Sequence, residues 1–355
     1  MGVLLTSYLV FISLVWAVLS MGGLLGMPRK EFQAKKPRNR PRILLMVPCK
    51  GTDIDLERNL RNAIGQDYGN YRAVAILESK RDPAFKAIKK SGISYMISDP
   101  KYKNCSGKVR NLASAIRRFK SCEAYCILDS DVDAWPSWLS SLVAALGEKD
   151  GISTAFPTFN PIGGFWSKAK HVWGFVGFGL MENKRTRFGW GGSLLFRKEL
   201  MENGGFERFS TSISDDIALT SLCKERGLGI AYAPAARPVV DCRESAASFI
   251  EWSNRQTAFS VLGNRANLYV GLAYYTAGAL LLASAIALSI WYSPIAAILF
   301  LPFLLFVAKS YQRSGGHDPI TLPICFILVF IYFYNMVNSV FLREVNWRGR
   351  RYALR

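Results

Sequence analysis

Apolar positions in this chain fall into long uncharged runs at the two ends and short runs in the middle. Residues 4–27, 268–308 and 322–342 carry no charged side chain, and each matches or exceeds the roughly 18–20 residues that cross hydrocarbon. The first run lacks a basic lead and outlasts the apolar core of a cleaved signal peptide, so residues 1–27 read as a retained transmembrane anchor. Residues 268–343 read as a C-terminal membrane region of two or three spans.

The middle alternates between two periods. Residues 43–47 form a continuous apolar run stopped by Pro48, and Leu56, Leu60 and Ile64 then recur at helical spacing across residues 56–66. Residues 71–77, 94–97 and 125–128 read as strands, and residues 83–90, 109–119 and 217–225 as helices. Such alternation predicts an α/β domain, residues 43–265, with a mainly parallel sheet covered on both faces. Ligands bind such sheets at the carboxyl ends of their strands. Those ends carry Pro48-Cys49-Lys50-Gly51, residues 78–82, and Asp129-Ser130-Asp131.

Residues 165–181 fit neither pattern. Lys168, Lys170 and His171 lie among Trp166, Trp173, Phe175 and Phe178, and glycines break the run. The segment, residues 163–182, is expected to lie in a bilayer interface, with an ordinary core helix as the alternative.

A net charge of +19 would suggest nucleic acid in a soluble protein. Here Arg29, Lys30, Lys35, Lys36, Arg38, Arg40 and Arg42 crowd the linker, residues 28–42, directly after the first apolar run. The charge therefore reads as a positive-inside signal and a contact for anionic lipid headgroups, not for nucleic acid. The middle domain is expected in the cytoplasm. The membrane would be the plasma (inner) membrane of a prokaryote, or the Golgi or endoplasmic reticulum of a eukaryote. Seven cysteines without a C-x-x-C pair, and only His171 and His317 to join them, argue against a zinc site or a disulfide framework.

Acids supply the chemistry. Asp129 and Asp131 at a strand end offer the hard oxygens that suit Mg²⁺ or Mn²⁺ bridging to a pyrophosphate. Asp215 and Asp216 open a helix, where the dipole also favours acids. Gly189-Trp190-Gly191-Gly192-Ser193 lies upstream, and Lys108 and Arg255 are available cations. A sugar transferase needs such parts: an acid for the metal, an acid to take the acceptor's proton, and cations for the leaving diphosphate.

Five segments together carry a family resemblance. They are Lys50-Gly51-Thr52-Asp53 with Leu56, Asn59-Leu60 and Asp67-Tyr68; Asp82-Pro83-Ala84; Asp129; Ile213-Ser214-Asp215-Asp216; and the tail Trp347-Arg348-Gly349-Arg350-Arg351-Tyr352. From about residue 43 to its end the chain resembles a family 2 glycosyltransferase of the nucleotide-sugar-binding A-type fold. It is most similar to the ceramide glucosyltransferase group and its bacterial hopanoid-associated relatives. The resemblance implies a mixed, mainly parallel sheet with N-terminal and C-terminal transmembrane helices. It implies inverting transfer of a hexose, glucose foremost, from a UDP-sugar such as UDP-glucose to the hydroxyl of a membrane lipid such as ceramide.

The same resemblance implies roles. Asp216 is the expected base, and Asp129 and Asp131 hold Mg²⁺ or Mn²⁺. Taken with the chemistry of the residues themselves, this puts Pro48, Lys50, Glu78, Asp82, Lys108, Asp129, Asp131 and Arg255 on the donor and Gly191, Asp215 and Trp252 on the acceptor side, where the interfacial reading of residues 163–182 adds Trp166 and Trp173. Two positions depart from the group. The expected [QR]-x-x-R-W reads Trp252-Ser253-Asn254-Arg255-Gln256, and Ser79 stands where an acid is common, with Glu78 beside it. A processive polysaccharide synthase, a hopanoid-type lipid glycosyltransferase and a catalytically dead nucleotide-sugar-binding scaffold are the alternative functions. The basic tail, residues 344–355, poses a topological question. If residues 268–308 are a hairpin turning at Ser293-Pro294, a spanning last segment would carry Arg348, Arg350 and Arg351 outside, against the positive-inside tendency; a re-entrant or interfacial segment would not.

Overall fold

The computed structural model describes residues 4–12, 16, 40–291, 293–313 and 319–354. Most of the expected anchor and all of the linker before Arg40 lie outside the described residues, as does His317. The strands are β1 (Ile43–Pro48), β2 (Tyr71–Leu77), β3 (Ser94–Ile97), β4 (Ala124–Leu128), β5 (Val132–Asp133), β6 (Asp150–Thr154), β7 (Thr158–Pro161), β8 (Ser193–Arg197), β9 (Gly229–Tyr232), β10 (Val239–Cys242), β11 (Glu344–Trp347) and β12 (Arg350–Ala353). Helices packed on them are α1 (Leu56–Ile64), α2 (Ala84–Ser91), α3 (Gly107–Arg118), α4 (Trp138–Ala145), α5 (Phe165–Trp173), α6 (Phe175–Glu182), α7 (Gly205–Ser210), α8 (Asp215–Glu225) and α9 (Ala246–Gly263). The C-terminal helices are α10 (Ala266–Trp291), α11 (Leu301–Arg313) and α12 (Thr321–Phe341).

The main sheet has the order β3-β2-β1-β4-β8-β6-β9. It is mixed and mainly parallel, because only β8 runs against its neighbours β4 and β6. Every residue of β1 is buried, as its uninterrupted apolar run requires of a strand covered on both faces. Alternate side chains serve the two faces. Ile43, Leu45 and Val47 join Leu60, Ile88 and Trp138 on one side, and Leu44 and Met46 join Leu112, Ile116 and Leu219 on the other. A smaller sheet, β5-β10-β7, flanks the edge where β4 ends.

Residues 165–181 fold as α5 and α6, separated at Gly174. Ala169, Val172, Phe175, Phe178 and Met181 are buried in the core that α1 and α4 share. The aromatic run is thus a wedge between the small sheet and the C-terminal helices.

Helices α10 and α12 are long and apolar enough to cross a bilayer by length and composition. They pack antiparallel: Gly271 lies against Met336, and Tyr275 stacks on Tyr332 with ring centroids 4.8 Å apart. Phe303 of the short α11 packs on Phe326 and on Trp16, the latter at 4.5 Å. α10 leads away from the α/β domain and α12 leads back to it. The β11–β12 hairpin therefore ends against that domain, and Arg348 and Arg350 are on its side of the C-terminal helices. α11 has 13 residues and follows directly on a 3-10 helical stretch, Pro294–Phe300.

Candidate active site

Strands β1, β2, β4 and β6 end at one edge of the main sheet, and because β8 runs the opposite way its first residue, Ser193, begins there. That reversal delivers the glycine-rich turn before β8 to the same edge as Asp129. A cavity of about 760 Å³ opens at this edge. Its acidic end is lined by Lys50, Glu78, Lys108, Asp129, Asp131 and Asp216, and its aromatic end by Trp173, Trp252, Tyr275 and Tyr332 with Val176 and Met336.

Lys108 organises the acidic end. Ser106 caps α3 by accepting the Val109 N–H at 3.2 Å, which places Lys108 in the first turn, facing the cavity. Its Nζ lies 2.7 Å from Asp129 Oδ1 and 3.1 Å from Asp215 Oδ2, and donates to the Gly191 carbonyl at 3.1 Å. Burial lowers the pKa of the ammonium, but Asp129 and Asp215 outweigh it and keep the group charged. One cation thus serves two carboxylates. The deeper, Asp215, is pushed up to about 7 by burial, with Lys108 opposing and Asp216 and Asp129 adding to the rise. A Cβ on Gly191 would come within 2.6 Å of Asp215 Oδ2 and 3.0 Å of Lys108 Nζ, so only glycine lets the backbone approach the pair.

Asp216 follows in the first turn of the same helix. Its Oδ1 accepts the Ile217 N–H at 2.8 Å and the Ser214 hydroxyl. Oδ2 takes no hydrogen bond from the described residues. The carboxylate that lines the cavity is therefore held by one oxygen and open at the other.

Asp129, Asp131 and Asp53 form a carboxylate cluster on the turns after β4 and β1. Asp53 Oδ2 accepts the Ser130 hydroxyl at 2.6 Å. Burial, then Asp129 and Asp53, push Asp131 up to about 6. Lys108 and Arg348 are the cations paired with this cluster, and hard carboxylate oxygens are what Mg²⁺ or Mn²⁺ takes. Among the described residues no three acidic, histidine or cysteine side chains converge on a full ligand set. Asp129 and Asp131 would supply part of the shell of such a cation, with substrate phosphate oxygens and water as the remaining ligands.

Of the residues singled out from sequence, Pro48, Lys50, Glu78, Lys108, Asp129, Asp131 and Arg255 line the cavity, as do Trp173, Gly191, Asp215, Asp216 and Trp252. Two do not. Asp82 Oδ1 accepts the Gly51 N–H at 2.8 Å and the Ala84 N–H at 3.0 Å, tying the loop after β1 to the start of α2. Trp166 packs on Phe249 at 5.7 Å. Sequence reasoning missed Asp53 and Arg348, which pair at 2.6 Å, and missed Tyr275, Tyr332 and Met336 of the C-terminal helices. The first two stand inside motifs that carried the resemblance, which was the available signal. The other three had none, because an aromatic residue in an apolar run looks like any other.

The α/β sheet, its carboxyl-edge acids and its glycine-rich turn define a glycosyltransferase of the A-type fold. Residues 6–355 match glycosyl transferase family 21, and the chain belongs to that family. Among solved structures it is similar to a mannosyltransferase, PcManGT from Pyrobaculum calidifontis, in complex with GDP-Man and Mn²⁺. The likeness covers 95% of this chain and 97% of that one, at 16% identity and a TM-score of 0.57. A looser likeness, to glucosyl-3-phosphoglycerate synthase from Mycobacterium tuberculosis in complex with phosphoglyceric acid, covers 63% and 80% at 15% identity and a TM-score of 0.46.

Proposed function

We propose that this chain is a membrane-bound, inverting glycosyltransferase that moves a hexose, glucose from UDP-glucose as the leading assignment, onto the hydroxyl of a membrane lipid such as ceramide. The observation that carries this reading is the continuity of the cavity. It joins an acid-and-cation end suited to a nucleoside diphosphate with an aromatic end walled by two bilayer-length helices. Those helices also leave large apolar side chains exposed, among them Tyr269, Val270, Ile290, Trp291, Phe330 and Phe341. Such a belt is a liability in water and ordinary in lipid. In this reading the α/β domain is cytoplasmic, α10 and α12 cross the bilayer, and the lipid reaches the cavity from the side of Trp173 and Tyr332.

In the reaction, the free oxygen of Asp216 takes the proton of the lipid hydroxyl as that oxygen forms its bond to the anomeric carbon. The bond from that carbon to the diphosphate breaks from the opposite face, so configuration inverts, and its electron pair leaves with the diphosphate. Lys108 and Arg255 face that developing charge. Burial lowers the pKa of Arg255, with Glu251 opposing and Arg348 adding to the fall, so an incoming diphosphate relieves a strained cation. Asp129 and Asp131 would hold Mg²⁺ or Mn²⁺, which when bound offsets charge on the leaving group. Mn²⁺ with a nucleotide sugar in the similar mannosyltransferase is in keeping with this.

Mass spectrometry of lipid extracts from cells expressing the chain tests the whole reading. A new hexosylated lipid should appear with the native chain and vanish with Asp216→Asn, and its mass identifies sugar and acceptor together. Extracts that are the same with and without the native chain would end the proposal.

Two further results are expected. Excess EDTA should abolish transfer, and added Mn²⁺ or Mg²⁺ should restore it; full turnover under EDTA would remove Asp129 and Asp131 from metal binding. At the aromatic end, Val176→Trp should fill cavity space and slow transfer to long-chain acceptors at least tenfold, with a smaller effect on a short-chain analogue. Equal losses on both acceptors would mean the aromatic end does not receive the acyl chain.

A further inference from the structure

The turn of the C-terminal hairpin lies over the acidic end of the cavity. Arg348 Nη1 lies 2.6 Å from Asp53 Oδ1 and donates to the Lys50 carbonyl at 3.1 Å. Arg350 forks onto Glu78 at 2.8 and 2.6 Å. The Tyr352 hydroxyl accepts the Gly107 N–H at 3.3 Å, and Arg255 donates to the Asn346 carbonyl at 3.4 Å. All but the last of these contacts fall on the loops after β1 and β2 and on the start of α3. The chain thus sends its last strands back to the edge where β1, β2 and β4 end.

The turn has a second feature. Arg348 has φ 51° and Gly349 φ 74°, the left-handed pair of a two-residue hairpin, where Asn-Gly is the favoured sequence. An arginine there adopts a backbone conformation that asparagine or glycine takes at less cost. Its side chain must supply what offsets that. The guanidinium has five N–H donors, of which the Nη1 group is engaged, and it lines the same cavity as Arg255, Asp129 and Asp131.

We infer that the hairpin is a lid on the donor end, and that Arg348, oriented by Asp53, uses its remaining donors to bind the terminal phosphate of the donor's diphosphate. This rests on the proposed function, since it assumes a nucleoside diphosphate in that end. Donor then enters only when the hairpin lifts, and its closure brings Arg348 beside Arg255. Planar guanidinium donors match phosphate oxygens better than an ammonium does.

Titration calorimetry on the detergent-solubilised full chain with Mn²⁺ tests it, comparing UDP with UMP and GDP with GMP. Arg348→Met should weaken diphosphate binding by roughly 10–100-fold and monophosphate binding by less than about threefold. Arg351→Met removes a charge from the same hairpin at an exposed position outside the cavity, and should leave the ratio of the two affinities at its native value. Should Arg348→Met fail to fold, Arg348→Lys keeps the charge without the fork and should give an intermediate ratio. An unchanged ratio in every Arg348 variant would make the residue a latch only and overturn the inference while leaving the proposed function standing. A native chain that binds neither diphosphate would overturn both.

Discussion

Asp216→Asn should slow transfer by roughly 10²–10⁴-fold and leave donor affinity within a few-fold of native. Asparagine keeps the shape of the side chain, and its amide oxygen can still accept from the Ile217 N–H and the Ser214 hydroxyl as Oδ1 does. The start of α8 therefore survives. What is lost is a basic oxygen at the open side, where a lipid hydroxyl must shed its proton. Single-turnover assays with saturating donor, run beside direct donor-binding measurements, separate the two effects. If affinity collapsed and bound donor still turned over at the native rate, Asp216 would be a donor ligand and the base would have to be sought elsewhere.

Lys108→Met should produce the second large effect, on stability. Lys108 has a side chain 11% exposed and sits between Asp129 and Asp215, the latter 3% exposed. Removing the one cation leaves the buried Asp215 carboxylate without its ion-pair partner, which costs about 3–5 kcal/mol. Thermal or denaturant unfolding should register the loss, and the double variant with Asp215→Asn should recover much of it, because the orphaned acid is then gone. Additive losses would show that the pair is not coupled. The pH dependence has a definite sign. Asp215 is raised from 3.8 to about 7 in the folded chain, so folding takes up a proton between those values. Its contribution is fully present below about 4 and is lost as pH rises through about 7. Relative to Asp215→Asn, the native chain should lose stability across that window and change little above it.

Much of the α/β domain was legible along the chain because its signals are local. Residues 71–77 and 94–97 match β2 and β3, and residues 43–47 fall within β1. A strand buried on both faces has to be apolar at every position, and that leaves a mark in sequence whatever it pairs with. Helix starts were less legible. Apolar spacing suggested residues 109–119, whereas α3 begins at Gly107 because Ser106 supplies the cap, and Lys108 acquires its place from that shift. The acids after β1 and β4 could be grouped from the rule for strand ends, without knowing the order of the strands.

What the linear chain could not decide is whatever depends on contacts between distant segments. Gly191 reaches Lys108 and Asp215 only because β8 runs antiparallel to β4, a pairing choice without a local signature. The aromatic end exists because α10 and α12 pack antiparallel and present Tyr275 and Tyr332 to the cavity, although neither residue differs from its apolar neighbours in kind. Arg348 meets Asp53 across nearly the whole length of the chain, so its sequence context shows a basic tail and nothing of the donor loops beneath it. Composition and periodicity by themselves determined a sheet domain between apolar segments and the acids at its edge. Tertiary structure decided which of those acids share a cation, which remains open to a substrate, and which distant helices and hairpin close the cavity, because burial and charge pairing are set by neighbours in space and not along the chain.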